Sequence, residues 1–230
     1  VIFNGTQPQH IYFESLDSNF NKLVVTNNNL VWSGKMNITT LCSDMTVDSN
    51  NLSIYKIDLN GKKAVINNDV SMDTYSTYPA EIDLNKGYFI INGNLLQPSG
   101  QMYIDGGTLE VNGDYRIQSY EKNSVTDEME YVSSSGYLVM EKSKDIVEIA
   151  GDFIIQSNAV DRRSGPIGYY NVSKNVFKYG TMKVGGDFKQ INGTNGTYGD
   201  SSNNYTCSED HTVIFNGTQP QHIYFESLDS

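Results

Sequence analysis

A strand–turn–strand motif recurs five times in this chain, and no other feature of the sequence limits the possible folds as much. The copies are GKKAVINNDVSM from Gly61, KGYFIINGNLLQ from Lys86, GTLEVNGDYRIQ from Gly107, KDIVEIAGDFIIQ from Lys144 and GTMKVGGDFKQI from Gly180. Successive copies are about 20 residues apart, or about 20 residues plus an insertion, which is the spacing of repeats that stack as coils. Apolar and polar residues alternate beside each turn, as in a strand with one buried face.

The turns allow two interpretations of this motif. In four copies the turn is Asn-Gly, Ala-Gly or Gly-Gly followed by Asp or Asn, residues that accept positive φ or hydrogen-bond their own backbone. Asn-Gly between two strands is also a strong hairpin signal, so a meander of hairpins is one possibility. Recurrence of the whole motif favours stacking of equivalent strands instead, with one apolar column formed by Ile66, Ile91, Val111, Ile149 and Val184. We therefore predict an all-β parallel β-solenoid (β-helix), with a β-sandwich or propeller-like array as the alternative.

A second and longer repeat is visible at the two ends of the chain. Residues 213–230 repeat residues 1–18, VIFNGTQPQHIYFESLDS, letter for letter at an offset of 212 residues. We interpret residues 1–212 as one solenoid repeat unit of roughly eight coils and residues 213–230 as the first coil of the next copy. Residues 73–81, 119–136 and 158–179 do not fit a coil and are predicted to be loop insertions. Residues 200–211 are predicted to be a polar connector.

The identical segment should form the junction between repeats. It would supply the coil that covers an otherwise open sheet edge, since a bare edge is a template for aggregation. The junction residues that we predict are its apolar strand positions: Val1, Phe3, Ile11, Phe13, Val213, Phe215, Ile223 and Phe225.

Composition excludes several classes of partner. With 16 basic and 27 acidic residues the net charge is −11, so the chain should repel nucleic acid. Its apolar runs are far shorter than the roughly 20 residues of a membrane span, so we predict no membrane span in this segment. Two widely separated cysteines form neither a disulfide framework nor a metal-binding cluster. No cofactor motif is present, and we predict no cofactor or metal.

Catalysis was weighed because β-helix folds also occur in polysaccharide-cleaving enzymes. Asp114, Asp152 and Asp187 occupy the same turn position in successive motif copies. A catalytic pair of carboxylates would break the repeat, whereas an aspartate that caps a turn would follow it. We therefore predict no catalytic residues and no enzymatic activity, and keep a polysaccharide-cleaving enzyme as the second alternative function.

Tyrosine is the residue type with most potential for ligand contact, with 16 copies. Exposed aromatic rings can stack on sugars or anchor an interface. The possible ligand or partner contacts in or beside the two long insertions are Tyr120, Tyr131, Tyr169, Tyr170 and Tyr179. The simpler interpretation is that these rings cover the apolar core.

The segments GTLEVNGDYRIQ, GTMKVGGDFKQ and EDHTVIFNGTQPQHIYFES together resemble a repeat of very large secreted or cell-surface proteins of Gram-positive anaerobic bacteria. The pattern of that family is GTLxVxGDF, then THxVxFxGxxxQxIxF, then FxxLxV, which is matched here by Phe20, Leu23 and Val25. The resemblance implies a β-solenoid stalk or adhesin and carries over no catalytic residues. We expect an extracellular or cell-surface structural repeat that stacks end to end with adjacent copies. The alternative is a carbohydrate-binding adhesin module that holds glycans with its Tyr-rich loops.

Overall fold

The computed structural model describes residues 1–15, 17–26, 30–72, 80–158, 175–193 and 204–226, and only the backbone of residues 50 and 51. Within these ranges the chain is all-β and contains no α-helix, and 21 of the 23 strands belong to a single sheet. The prediction of an all-β fold is confirmed.

The strands are numbered in chain order. The first eleven are β1 (Ile2–Phe3), β2 (Gln9–Phe13), β3 (Phe20–Val25), β4 (Leu30–Leu41), β5 (Met45–Asp58), β6 (Lys63–Asn67), β7 (Val70–Met72), β8 (Glu81–Asp83), β9 (Tyr88–Ile91), β10 (Leu95–Leu96) and β11 (Gln101–Tyr103). The remaining twelve are β12 (Thr108–Val111), β13 (Tyr115–Ile117), β14 (Ser119–Lys122), β15 (Met129–Val132), β16 (Tyr137–Met140), β17 (Ile146–Ile149), β18 (Phe153–Ile155), β19 (Val176–Phe177), β20 (Thr181–Val184), β21 (Phe188–Gln190), β22 (Thr212–Phe215) and β23 (Ile223–Phe225).

From β5 onward, the described strands other than β14 and β15 form three ladders of parallel pairs. The first ladder contains the start of β5, then β6, β9, β12, β17, β20 and β22. The second contains the middle of β5, then β7, β10, β13, β18, β21 and β23. The third contains the end of β5, then β8, β11, β16 and β19. The chain visits the ladders in turn, so strands that pair are those of successive motif copies.

This pairing excludes the hairpin interpretation of the motif. β6 and β7 flank one turn, yet β6 pairs with β9 and β7 pairs with β10. Antiparallel pairing, as in a hairpin meander or a sandwich, occurs in the described residues only between β14 and β15.

The predicted apolar column is present. Ile66 pairs with Ile91, Ile91 with Val111, Val111 with Ile149 and Ile149 with Val184. All five are at most 2% exposed. Burial of one such side chain stabilises the fold by about 1.5–3 kcal/mol, so a column that continues from copy to copy is a large part of the driving force. Trp32 is also fully buried.

The motif turns differ from the prediction in the role of glycine. Gly93, Gly113, Gly151 and Gly186 do not adopt positive φ. Instead, a Cβ at Gly113 would collide with the side-chain oxygen of Asn94 in the preceding copy, and a Cβ at Gly151 would collide with that of Asp114. Glycine is required here because the turns are closely stacked.

The Asp or Asn after each glycine also acts on a neighbour rather than on its own turn. Asp69 accepts the backbone N–H of Asn94, Asn94 that of Asp114, and Asp114 that of Asp152, at 2.7–2.9 Å. Asp152 then accepts the N–H of Asp187 at 2.7 Å. We call this series the Asx row. It satisfies turn N–H groups that the strand ladders leave unpaired.

The predicted insertions are partly corrected. Residues 119–132 form the β14–β15 hairpin outside the ladders, but the prediction for 119–136 extends too far, because Ser134 forms a parallel bridge with Ser157. Glu81 likewise already belongs to β8. The prediction for 158–179 is wrong at its end, because Val176–Phe177 pairs in the third ladder. The connector prediction for 200–211 is wrong for Tyr205, which is 4% exposed and packs on Phe177. Residues 73–79, 159–174 and 200–203 lie outside the described ranges.

Candidate repeat junction

The two copies of VIFNGTQPQHIYFESLDS lie at opposite ends of the ladders. We call residues 1–18 the first copy and residues 213–230 the second copy. The first copy contains β1 and β2, which pair with strands that follow them in the chain: β1 with β3, and β2 with β4. The second copy contains most of β22 and all of β23, which pair with strands that precede them: β22 with β20, and β23 with β21.

One sequence thus uses both edges of its strands. We call the edge that faces preceding strands the leading edge and the edge that faces following strands the trailing edge. The first copy is paired through its trailing edge and the second copy through its leading edge. Taken together, the two copies show strand pairing on both edges of the same sequence.

Burial follows these edges at three of the four pairs of predicted junction residues; the exception is Val1, which is 62% exposed while its counterpart Val213 is partly buried. Ile11 pairs with Trp32 and is 6% exposed, whereas its counterpart Ile223 pairs with Phe188 and is 55% exposed. Phe3 is partly buried and Phe215 is exposed. The second copy therefore presents apolar side chains that the first copy covers.

Aromatic rings continue through both copies. In the second copy the ring centroid of Phe225 is 5.6 Å from that of Phe188. In the first copy Phe13, the counterpart of Phe225, is 5.0 Å from Phe20 and 5.6 Å from Trp32. Aromatic pairs at these separations contribute about 0.5–1.5 kcal/mol beyond their area burial. The same phenylalanine thus contacts aromatic side chains on both sides of the junction.

The Asx row also reaches the second copy. Asp187 accepts the backbone N–H of His222 at 2.8 Å, and its other carboxylate oxygen is 3.3 Å from Lys189 Nζ. The His222 hydrogen bond, followed by Lys189, holds the pKa of the Asp187 carboxyl below its ordinary value. The row thus joins the last motif copy of one period to the shared segment.

A glutamine of the shared segment was missed by the sequence analysis. Gln9 accepts the N–H of Gly5 at 2.8 Å, and its counterpart Gln221 accepts the N–H of Gly217 at 2.9 Å. Gln221 also donates to the carbonyl oxygen of Val184 at 2.9 Å. The sequence signal for this role was the position of the glutamine four residues after the Asn-Gly pair. Its hydrogen bond to the preceding strand could not be predicted, because that contact depends on the register in which the strands pair.

The predicted tyrosines are divided between different environments. Tyr120 and Tyr131 face each other across the β14–β15 hairpin, with ring centroids 4.8 Å apart and nearly half of each residue exposed. Tyr179 is half-buried, and its carbonyl oxygen accepts a hydrogen bond from His211 at 3.1 Å. Tyr169 and Tyr170 lie outside the described residues. The described tyrosines do not form one cluster that matches the predicted contact set.

A polar groove of about 820 Å³ lies beside the hairpin. It is lined mainly by small and polar side chains, among them Ser53, Ser71 and Asn94, and by Tyr131. Arg116 lies between the carboxylate of Asp114, at 2.8 Å, and the ring of Tyr131, at 4.7 Å. The positive charge of Arg116 in the groove is therefore balanced by the carboxylate of Asp114.

The three aspartates weighed as catalytic residues belong to the Asx row. Asp114, Asp152 and Asp187 each accept a turn N–H, and each also lies within 3.3 Å of a basic side chain. Within the described ranges, no group of three or more acidic, histidine or cysteine side chains is arranged to hold a metal ion. Cys42 and Cys207 are free thiols.

Comparisons of the chain with protein-family models, curated proteins and solved structures give no match. No helix in the described part of the chain has the length and apolar character needed to cross a bilayer.

Proposed function

We propose that this chain is a structural β-solenoid repeat that stacks end to end with adjacent copies of itself. The observation that carries the proposal is the use of opposite edges by the two identical segments: the first copy pairs with β3 and β4, and the second copy with β20 and β21. A segment that pairs on both sides has a defined place inside an array and no open edge.

The proposed unit is residues 1–212, with residues 213–230 as the first coil of the next unit. Each passage through the three ladders is one coil, giving roughly eight coils per unit. At the ~4.8 Å spacing of neighbouring strands, eight coils add ~38 Å to the rod. The first ladder and the apolar column support this proposal. The ladder continues without a break from β5 to β20, and the column does so from Val47 to Val184.

We propose that the role is mechanical rather than catalytic. The carboxylates that a β-helix hydrolase would need are engaged here in turn hydrogen bonds and ion pairs, as seen at Asp114, Asp152 and Asp187. Such groups support the backbone. Asp114 also lines the groove beside the hairpin, where it is paired with Arg116. A stiff rod suits a stalk or filament outside a bacterial cell or on its surface, and the resemblance noted in the sequence supports that location.

Removal of residues 213–230 tests the structural role. The deletion uncovers β20 and β21, so the melting temperature should fall or the protein should oligomerise through the open edge. A monomer with an unchanged melting temperature would contradict the proposal.

A second candidate function is glycan binding in the polar groove. An exposed tyrosine pair beside serine and asparagine side chains is suited to an uncharged sugar, because rings stack on sugar faces while hydroxyl and amide groups hydrogen-bond. Binding on a glycan array should be lost in Tyr120→Ala and Tyr131→Ala and kept in Tyr12→Ala, which changes an exposed tyrosine on β2. Equal binding signals from the unmodified chain and all three variants would rule this candidate out.

A further inference from the structure

The ends of the ladders present edges that are complementary between molecules. The trailing edge of the second copy has no strand partner among the described residues. Because the two copies have the same sequence, it is the edge that the first copy pairs with β3 and β4. Likewise, the free leading edge of the first copy is the edge that the second copy pairs with β20 and β21. We call the two strands that a copy pairs with its acceptor: β3 and β4 for the first copy, β20 and β21 for the second copy. Within one molecule, each acceptor is occupied by that chain's own copy.

We propose that the shared segment also joins separate molecules: when one copy leaves its acceptor, the other copy of a second molecule takes its place. This inference rests on the proposed stacking function. The partner is a second copy of this chain, and the contact is strand addition to an open sheet edge.

The contacts that would form in the second molecule are already defined within one chain. β2 pairs with β4 over five residues, and Ile11 and Phe13 lie against Trp32 and Phe20. An incoming second copy offers the same residues as Ile223 and Phe225, which are 55% and 44% exposed in the isolated chain. The bonds lost when a first copy is displaced are thus replaced by identical bonds, and the exposed apolar side chains of the second copy become buried.

Tethering explains why an intact chain should remain a monomer. The first copy is joined directly to β3, so its effective concentration at the acceptor is on the order of millimolar, above that of another molecule at ordinary protein concentrations. A mutation that weakens one copy removes this advantage and leaves the acceptor free. The intact copy at the opposite end of a second molecule can then occupy it.

The test uses the full-length chain and one substitution at each end. Ile11→Asp places a charge in the buried strand face of the first copy and opens β3 and β4. Ile223 is 55% exposed, so Ile223→Asp acts differently: it removes the apolar side chain that pairs with Phe188, which should weaken the second copy and open β20 and β21. Each single variant should shift from monomer to a ladder of integer multiples in sedimentation velocity, and electron microscopy should show linear polymers. Tyr12→Asp and Tyr224→Asp are matched controls, since both tyrosines are exposed in their copies, and both should remain monomers.

The double variant Ile11→Asp/Ile223→Asp separates this proposal from general aggregation. It has two open acceptors but no intact copy to fill them, so it should return to monomer. Non-specific aggregation would instead increase with each added mutation. Polymers in the double variant equal to those of the single variants would overturn the proposal, as would single variants that stay folded and monomeric at tens of micromolar.

A labelled peptide, VIFNGTQPQHIYFESLDS, gives a readout that does not depend on polymer growth. It should bind the double variant and not the unmodified chain. The peptide with Asp in place of its second isoleucine, the one that precedes Tyr, should not bind. Circular dichroism checks the fold. If both single variants unfold, the segment is indispensable to each molecule rather than exchangeable, and the proposal fails.

The two proposals can fail separately. A covalent chain of two full units that forms one continuous rod, together with monomeric single variants, would reject exchange and keep the stacking function. A two-unit chain that forms two independent bodies would reject the stacking function itself.

Discussion

Ile11 and Ile223 are the same residue of the shared segment, but Ile11 is buried at 6% exposure while Ile223 is 55% exposed. Ile11 has β4 on its trailing side, and Ile223 has no strand there among the described residues. The difference measures what the next unit would cover. Because of this difference in exposure, we place the candidate functional site at the shared segment and not at a cleft with reactive groups.

The apolar column should dominate stability. Ile149→Ala removes a side chain that lies between Val111 and Val184 and is 2% exposed, so the free energy of unfolding should fall by about 2–5 kcal/mol. Glu148→Ala changes the adjacent outward-facing residue, whose ion pair with Lys183 is partly exposed, and should cost less than about 1 kcal/mol. Urea denaturation of both variants measures the difference, and equal losses would contradict the inward direction of Ile149.

Turn glycines should be required for close stacking and not for backbone conformation. Gly113→Ala forces the new Cβ against Asn94 and the backbone of Gly93, which should cost about 1–3 kcal/mol. Gly106→Ala adds a methyl group at φ 78° that meets only the side chains of Lys86 and Lys142, at 3.6 and 4.0 Å, so only the left-handed conformation is penalised, by about 1 kcal/mol. Chemical denaturation should rank Gly113→Ala below Gly106→Ala in stability; the reverse order would reject this explanation.

The Asx row should depend on a side-chain acceptor more than on charge. Asp152→Ala leaves the N–H of Asp187 without its partner and should lower the free energy of unfolding by about 1–2 kcal/mol. Asp152→Asn keeps the acceptor oxygen and loses the partly exposed contact with Lys189, so it should lose less than about 1 kcal/mol. Similar losses in the two variants would show that the ion pair, and not the turn hydrogen bond, is the important contact.

The pKa of Asp187 should report whether the second copy is docked. His222→Pro removes the N–H that lowers this pKa, so the pKa should rise toward its ordinary value of about 3.9, whereas His222→Ala keeps the N–H and should change it less. Because the folded-state pKa is below the unfolded one, the stabilisation by this group is present above the unfolded pKa and is lost as the pH falls through the folded value. NMR titration of the Asp187 carboxyl checks both variants. An unchanged pKa in His222→Pro would show that the hydrogen bond is not its main cause.

The sequence was sufficient to predict the column and the all-β class. Period-two alternation identifies which side chains of a strand are buried, and recurrence of the motif identifies which strands pair, so the column from Ile66 to Val184 could be aligned from the sequence alone. The role of Gly113 could not be predicted in the same way. It depends on the distance between turns of different copies, which the pattern within one copy does not contain.

Insertions limited the prediction elsewhere. Polar residues before Val176 and Tyr205 extended the predicted loops over positions that the structure pairs or buries. Tyr205 enters the core because Phe177 and Phe188 leave a place for an aromatic ring beside them, a tertiary contact without a local sequence signal. The identity of the two copies predicts that the shared segment is a junction, but the use of opposite edges by those copies could be seen only from the strand register.

Rod length against number of units is the most direct test of end-to-end stacking. Chains with one, two, three and four units, each followed by residues 213–230, should appear in electron micrographs as single unbranched rods that lengthen by ~38 Å per unit, the rise of eight coils at the strand spacing of ~4.8 Å. A string of separate globular bodies, or a length that does not increase in equal steps of this size, would contradict the stacking of coils on a common axis.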